Sequence, residues 1–525
     1  MSKKVIVSEC SHNTWTEVFK KAARENGWQP VYWTGHSRFI NFNELKESFS
    51  GITIHENYDA IRGVPIKSLQ NLKLSPVDGD LLKSFAEHES IVLKMMDRMD
   101  PMGWFTYPDR LRLYHYYLKY WSHVLDYFEP DIFFTPVTPH LCYDYVLYQL
   151  CKWKNITCIL FIETTIPYII YINNSFEEMP LRIIERYKHL LSTNAPALLS
   201  ESSNKYLYKI LGNYSQALPS YMIDQFRYEK KINEKKSYFR QSFDLARNVA
   251  SYFKHKYITK SLFQDSNVYY KSKSDKIEQK MLTRLEMKHY SKIMTRRTTR
   301  LRTSYENILS KVDYNSPYIL VALMYQPERT SSPDGGVFVH QYLMIELLSA
   351  AIPKDWTIYV KEHATQFMMY IDQTRNNWFY QDILKLGNAK FVDTNLDTYQ
   401  LIDNSKAVAT LTGTIGFESI VRGKPALCFG YAWYRGCEGV FSVDSLKTLR
   451  MEIEKIENGY TPDTEKVKKY VQALEETGIR GFVEPYYEKG FDFFENVNNL
   501  KEAIVGFEVK ESIKRSKENI INRNA

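Results

Sequence analysis

Two stretches of the chain repeat one arrangement, in which a short β-branched or aromatic apolar run leads through a polar turn into a helical period. Lys4 to Ser8 reads as a strand, Thr14 to Asn26 as a helix ended by Gly27, and Pro30 to Thr34 as a second strand. Thr106, with Asp109 three residues later, can cap a helix along which Leu111, Tyr114, Leu118, Trp121, Leu125 and Phe128 recur at helical spacing, the stripe of a core-facing helix. Asp131 to Pro136 is the next strand and Cys142 to Trp153 the next helix. Thr157 to Ile162 is continuously apolar and is expected inside the sheet. The arrangement returns with strands at Tyr318 to Leu323, Thr357 to Lys361, Lys390 to Val392, Ala407 to Leu411 and Ala426 to Phe429. Strands separated by helices of crossover length pack as parallel sheets covered on both faces.

Between residues 180 and 312 the pattern gives way to long polar helical segments almost without Gly or Pro. A chain of 525 residues is too long for one ordinary core, so two domains are expected. The expected division is a Rossmann-like domain over 1–180, a helical basic bridge over 181–312, a second Rossmann-like domain over 313–480, and a return segment with a basic tail over 481–525. Two α/β units joined by a bridge and facing a central cleft describe GT-B architecture.

Charge is concentrated in the bridge. Residues 227–302 hold 21 Lys and Arg against 7 Asp and Glu, an excess larger than the +8 of the whole chain, so the remainder is net acidic. Aromatics lie among these charges, among them Phe226, Tyr238, Tyr252 and Tyr257. Such a segment suits an anionic membrane surface, and a solvated helical linker is the plainer alternative. Nucleic acid, the competing polyanion, is not expected as a partner. The six cysteines form neither CxxC pairs nor a dense scaffold and are expected to be free thiols of a reducing compartment. No run of about 18 apolar residues occurs, so a cytoplasmic protein is expected, at most peripheral on the inner face of the cytoplasmic membrane.

The most specific segment runs from Ala407 to Leu427. A buried strand ends at Leu411, the turn Thr412, Gly413, Thr414 lets backbone approach a ligand, and a helix follows with its N–H groups aimed out of the sheet, which favours an anion such as phosphate. Glu418, one turn in, can face a ribose diol. Lys361, Glu362 and His363 end another strand of the same sheet, where ligands of open α/β sheets bind. Gln326 and Glu328 end the first strand of this unit, and the turn from Ser331 to Gly336 can fold over a donor.

These segments, YQPE with its Ser-Pro-Asp-Gly turn, KEH after a strand, TGTIGFES, GKPAL and FGYAWY, resemble the C-terminal half of the bacterial capsular polysaccharide biosynthesis family, which includes Kdo transferases. The similarity covers about 318–435, with a looser echo in 131–170. It implies a GT-B glycosyltransferase that uses a nucleotide sugar, often a CMP-activated one, without a catalytic metal and with no cofactor beyond that donor. By position His363 matches the family's phosphate-contacting His, and Thr412 to Ser419, including Gly416, matches its nucleotide-binding segment. Proline usually follows that His in the family, whereas Ala364 stands here, so the donor class can differ from that of the Kdo enzymes.

Chemistry on the acceptor is expected from the first unit. His140 and Asp144 are spaced i, i+4 and can share one helix face. Glu163 ends an apolar strand, where desolvation would raise a carboxyl pKa toward that of a general acid or base. Glu9, with His12, ends the first strand. For each of these, capping or an ion pair is the structural alternative. No third ligand at short spacing supports a metal site. The function expected is sugar transfer to a surface-polysaccharide or glycolipid acceptor; a nucleotide-sugar 2-epimerase of related architecture and a non-catalytic glycan-assembly protein are the other readings.

Overall fold

The computed structural model describes residues 2–70, 73–100, 105–214, 284–326, 328–367, 375–484 and 490–524. Most of the basic stretch 227–302, and with it the expected membrane contact, lies outside these residues. In chain order the strands are β1 (Lys3–Val7), β2 (Trp28–Gly35), β3 (Thr53–Glu56), β4 (Ile132–Thr135), β5 (Thr157–Glu163), β6 (Ile169–Asn173), β7 (Tyr318–Ala322), β8 (Thr357–Lys361), β9 (Ala389–Val392), β10 (Ala407–Thr410), β11 (Ala426–Cys428), β12 (Val440–Ser442) and β13 (Ile479–Arg480).

They form two sheets. The first has the order β13-β6-β5-β4-β1-β2-β3, the second β12-β11-β10-β7-β8-β9. The second is parallel throughout. In the first, β1 to β5 are parallel, while β6 runs antiparallel to β5 and β13 antiparallel to β6. In each sheet the strand order reverses beside its first strand, between β1 and β4 and between β7 and β10. In doubly wound sheets a ligand crevice opens at this switch point, beyond the carboxyl ends of the strands.

Side-chain alternation explains the layers. Val5 and Val7 of β1 face a core with Trp15, Phe19, Trp33 and Phe134, whereas Ile6 faces Tyr32, Tyr114, Trp121 and Phe133 on the opposite side. Helix Asn13–Asn26 ends on Gly27 at φ 69°, a left-handed conformation that glycine adopts without steric cost. Helix Tyr107–Phe128 starts on the Thr106–Asp109 capping box; Tyr114, Leu118, Trp121 and Leu125 are buried, and Leu111 and Phe128 pack partly buried against them. The second sheet divides in the same way, with Ile319 and Val321 against Leu348 and Tyr318 and Leu320 toward Phe417 and Tyr470.

Helices Leu181–Leu191 and Glu201–Leu211 lie on the second unit, where Ile183, Tyr187, Leu207 and Ile210 join the cluster that holds Phe417 and Tyr470. The chain then returns to the first sheet through β13. Helix Phe493–Asn524 follows and places Val497, Leu500 and Ile504 in one core with Trp15 and Phe19. The six cysteines are buried free thiols. Among the described residues no helix is long and apolar enough to cross a membrane.

Candidate functional site

Glu9 follows β1 with φ 57°, a left-handed backbone for a residue with a side chain, held by its N–H donating to Thr34 Oγ1 at 2.8 Å. Cys142, at the entry of helix Tyr143–Trp153, has φ 69°. Such conformations cost about 1–3 kcal/mol each and gather where the surrounding structure fixes a functional shape. Both lie at the switch point of the first sheet.

Across the cleft stands the turn after β7. Thr412 Oγ1 donates to Thr330 O at 2.7 Å, and Tyr431 N donates to Asp334 O at 2.7 Å, so this turn is fastened to the segments that follow β10 and β11. It carries Arg329, whose Nη2 lies 3.4 Å from Glu163 Oε2, with Asp334 Oδ2 4.0 Å from its Nε. Arg98 binds the two sides together by donating to His140 O at 2.6 Å and to Ser332 O at 3.4 Å.

Several carboxyls gather around Arg329. Burial raises Glu9 well above the ordinary range, and Asp144 and Glu484 add to the rise while Arg329 opposes it. Burial pushes Glu484 up to about 7, with Glu163 adding and Arg329 opposing. Asp334 is also pushed up to about 7 by burial, against the pull of Arg329, and its Oδ1 is buried without a hydrogen-bond partner. Burial thus holds Glu484 and Asp334 at about 7, so protons are retained here near neutral pH.

The expected residues of the first unit separate by role. Glu163 and Glu9 join the cluster. Asp144 accepts from the backbone N–H groups of His140 (2.9 Å), Leu141 (2.7 Å) and Tyr145 (2.7 Å), so it shapes the loop even though burial lifts it to about 6. His140 Nδ1 donates to Thr138 O at 2.9 Å, which leaves Nε2 as the lone-pair nitrogen; burial and the neighbouring Arg98 and Arg329 depress its pKa to about 3, making it a hydrogen-bond acceptor and a poor base.

On the donor side, helix Thr414–Val421 begins at Gly413 without a capping side chain, and Thr414 is exposed at its first position. Gly416 is required by close packing, because a Cβ there would lie 2.3 Å from the Tyr434 hydroxyl. Glu418 faces Tyr206, Tyr214 and Tyr399, and burial lifts it to about 7 against the pull of Arg422. His363 Nδ1 accepts from Thr365 N at 3.3 Å, and burial lowers the ring's pKa, so the neutral tautomer carries its proton on Nε2. Glu328 is exposed, and its Oε2 accepts from Thr330 Oγ1 at 2.9 Å.

Besides the Thr412 hydroxyl, which donates to Thr330 O, four further expected donor contacts are occupied within the protein. Glu362 is fully buried, accepting from Arg375 Nε at 2.9 Å and Tyr380 OH at 3.1 Å. Gln326 Oε1 accepts from Arg375 Nη1 at 2.9 Å, and its Nε2 donates to Val339 O at 2.6 Å. Lys361 Nζ donates to Leu396 O and Thr398 Oγ1, both at 2.7 Å, and burial lowers it to about 8. Ser419 Oγ donates to Gly416 O at 2.8 Å inside its own helix. These side chains hold the loops of the site in shape. Among the described residues no group of three or more His, Cys, Asp or Glu side chains could hold a metal ion.

Two Rossmann-like domains whose switch points face one another across a shared cleft define a GT-B protein. Residues 213–457, just under half of the chain and a span that contains the whole second sheet, match the family model described as capsule polysaccharide biosynthesis protein. Among solved structures it is similar to the beta Kdo 2,7 transferase KpsC of Thermosulfurimonas dismutans, at 11% identity and a TM-score of 0.28, covering 72% of this chain and 88% of that one. It is also similar to the UDP-GlcNAc 2-epimerase of Methanocaldococcus jannaschii, at 10% identity and a TM-score of 0.23, covering 91% and 100%. The UDP-GlcNAc 2-epimerase of Neisseria meningitidis gives 12% and 0.23, covering 97% and 100%. A search of curated proteins finds no match.

Proposed function

We propose that this chain is a glycosyltransferase that moves a sugar from a nucleotide-activated donor to a surface-polysaccharide or lipid-linked acceptor. The observation that carries the reading is the gathering of Glu9, Glu163, Asp334 and Glu484 around Arg329 between the two switch points, in a protein whose second domain lies within the match to the capsule polysaccharide biosynthesis model. The nucleotide lies along the Gly413 turn, with its ribose toward Glu418 and its phosphate toward His363. CMP is the nucleotide the family resemblance favours.

In the reaction the acceptor oxygen forms a bond to the anomeric carbon as the bond from that carbon to the donor phosphate breaks. The leaving phosphate gains negative charge, which His363 Nε2–H and the first amides of helix Thr414–Val421 stabilise by fixed donors. The acceptor hydroxyl proton passes to a carboxylate of the cluster. A base works best with a pKa near the working pH, which favours Glu484 and Asp334, both at about 7. Arg329 keeps part of the cluster ionised and ready to accept it.

The test is a thermal-shift screen against CMP, UDP, GDP, dTDP and ADP, followed by assay of the corresponding nucleotide sugars with acceptor glycans. A nucleotide at 100 times its Kd stabilises by about 2.7 kcal/mol. One nucleotide is expected to raise the Tm and its sugar to be transferred; no response to any nucleotide, or conversion of UDP-GlcNAc to its 2-epimer, sinks the proposal. Peripheral membrane contact through 227–302 belongs to the same proposal and rests on the charge of that stretch. Replacing several Lys and Arg between Lys230 and Arg302 is expected to weaken pelleting with phosphatidylserine vesicles while leaving nucleotide affinity intact, and unchanged pelleting removes the membrane part.

A further inference from the structure

A shallow, open pocket of about 440 Å³ lies where the segment after β2 passes the start of helix Asn13–Asn26. Its lining includes Asn13, Ser37, Arg38, Phe39, Asn41 and Asn43. All six residues are exposed, Phe39 at 56%. The Arg38 guanidinium stands 5.4 Å from the Phe39 ring centroid, and among the described residues it has no carboxylate partner. Asn41 Oδ1 is occupied in capping the following helix, where it accepts from Asn43 N at 3.1 Å. Its amide nitrogen and the side chains of Asn13 and Asn43 supply further hydrogen-bonding groups at the rim.

We infer that this pocket is an acceptor subsite for an anionic sugar residue of the growing glycan, with the sugar ring laid on Phe39 and its carboxylate or phosphate paired with Arg38. This rests on the glycosyltransferase reading and adds to it a substrate class. An exposed aromatic face ringed by amide and hydroxyl groups suits the mixed character of a pyranose, which has one apolar C–H face and a belt of hydroxyls. A guanidinium with no carboxylate partner among the described residues is available for bidentate pairing with a planar anion. The pocket also lies in register with the reaction centre. Asn13 follows Glu9 by four residues, a reach of at most about 14 Å in extended chain, and both lie beyond the carboxyl end of β1. Ser11 Oγ accepts from His36 N at 3.0 Å and ties this edge to the segment that carries Arg38 and Phe39. An acceptor whose reacting hydroxyl sits at the carboxyl cluster would therefore place a sugar a residue or two back in the pocket.

The experiment is a glycan array of acidic and neutral bacterial oligosaccharides, read with the full chain and with Phe39→Ala, Arg38→Gln and His363→Ala. The full chain is expected to bind acidic glycans at least about 10-fold better than neutral ones, a loss of roughly 1.4 kcal/mol when the preference is removed. Phe39→Ala should lose binding to both, Arg38→Gln should lose the preference and keep the neutral binding, and His363→Ala should change neither. Equal binding of acidic and neutral glycans, binding that survives Phe39→Ala, or a blank array overturns the subsite. If any of these occurs while a nucleotide still raises the Tm, the transferase reading stands without it; if no nucleotide binds, that reading has failed by itself.

Discussion

Arg329 of the second domain reaches Glu163 of the first at 3.4 Å, and this contact joins the two halves of the cleft at the point where the carboxyls gather. Its partner ends β5, and its own position follows β7 by way of Gln326 and Glu328, so two strand ends from separate sheets meet through one ion pair. Arg329→Met is expected to leave nucleotide binding within about 2-fold of the wild type and to lower kcat/KM for sugar transfer by about 10²-fold, the scale on which a positioned charge contributes. Nucleotide titration together with transfer kinetics checks this. A transfer rate within about 3-fold of the wild type would show that the cluster does not need its cation.

Glu362 and Arg375 form a fully buried pair inside the donor domain, with Tyr380 and Gln326 completing their hydrogen bonds. Removing one partner of such a pair costs about 3–5 kcal/mol, because the other charge is left buried without compensation. Glu362→Ala is expected to lower denaturant stability by that amount, and the double change Glu362→Gln with Arg375→Met to recover part of it. Urea titration of the three variants decides between this structural role and a direct contact to the donor, since loss of a donor contact would leave stability unchanged.

The strands and their order of appearance were legible because buried parallel strands leave apolar runs that only a covered sheet can accommodate. β1, β4, β5 and β7 to β11 fall within a residue or two of where Lys4, Asp131, Thr157, Tyr318, Thr357, Lys390, Ala407 and Ala426 signal them. β3, β6, β12 and β13 escaped, being two to five residues long or carried by mixed sequence such as Thr53–Glu56. The site was legible in part: strand-end position identified Glu9, Glu163, His363 and the Thr412 turn as facing the cleft. It could not separate Glu362 from His363, because alternation along an extended chain sends one inward to Arg375 and the other outward. Asp334 lay in the Ser331 to Gly336 turn already singled out, and Arg329 two residues before it; both were passed over because a turn shows no periodicity. Glu484 and Arg98 left no signal, since what brings them to the cleft is packing between segments far apart in the chain.

His363 is neutral at neutral pH and holds its proton on Nε2, so it can donate to a phosphate oxygen without changing charge. A hydrogen bond to a charged group contributes about 1.5–3 kcal/mol. His363→Ala is therefore expected to weaken nucleotide binding by roughly 10- to 100-fold. Binding measured by calorimetry at pH 7 and pH 8 should differ little in the wild type, since the imidazole does not titrate in that interval; strong weakening between those values would show that the charged ring is the binding form.

Glu418 is held at about 7 by burial beside Tyr206, Tyr214 and Tyr399, far above the value of about 4.3 that a Glu has in an unfolded chain. The sign follows from proton binding: between those two values the folded state holds a proton that the unfolded state has lost, so the stability associated with Glu418 is present below about pH 4 and is lost as pH rises through 7. Glu418→Gln keeps the shape and removes the titration. Relative to the wild type, the variant is expected to match in Tm near pH 4.5 and to be more stable at pH 8, where the wild type must bury a carboxylate. Taking the difference between the two proteins at each pH cancels the opposing titrations of His363, His140 and Lys361, which both share. A difference that stays constant from pH 4.5 to pH 8 would mean that Glu418 ionises in the folded protein as freely as in water. In that case the tyrosines around it leave room for the solvent or ligand groups that stabilise a carboxylate.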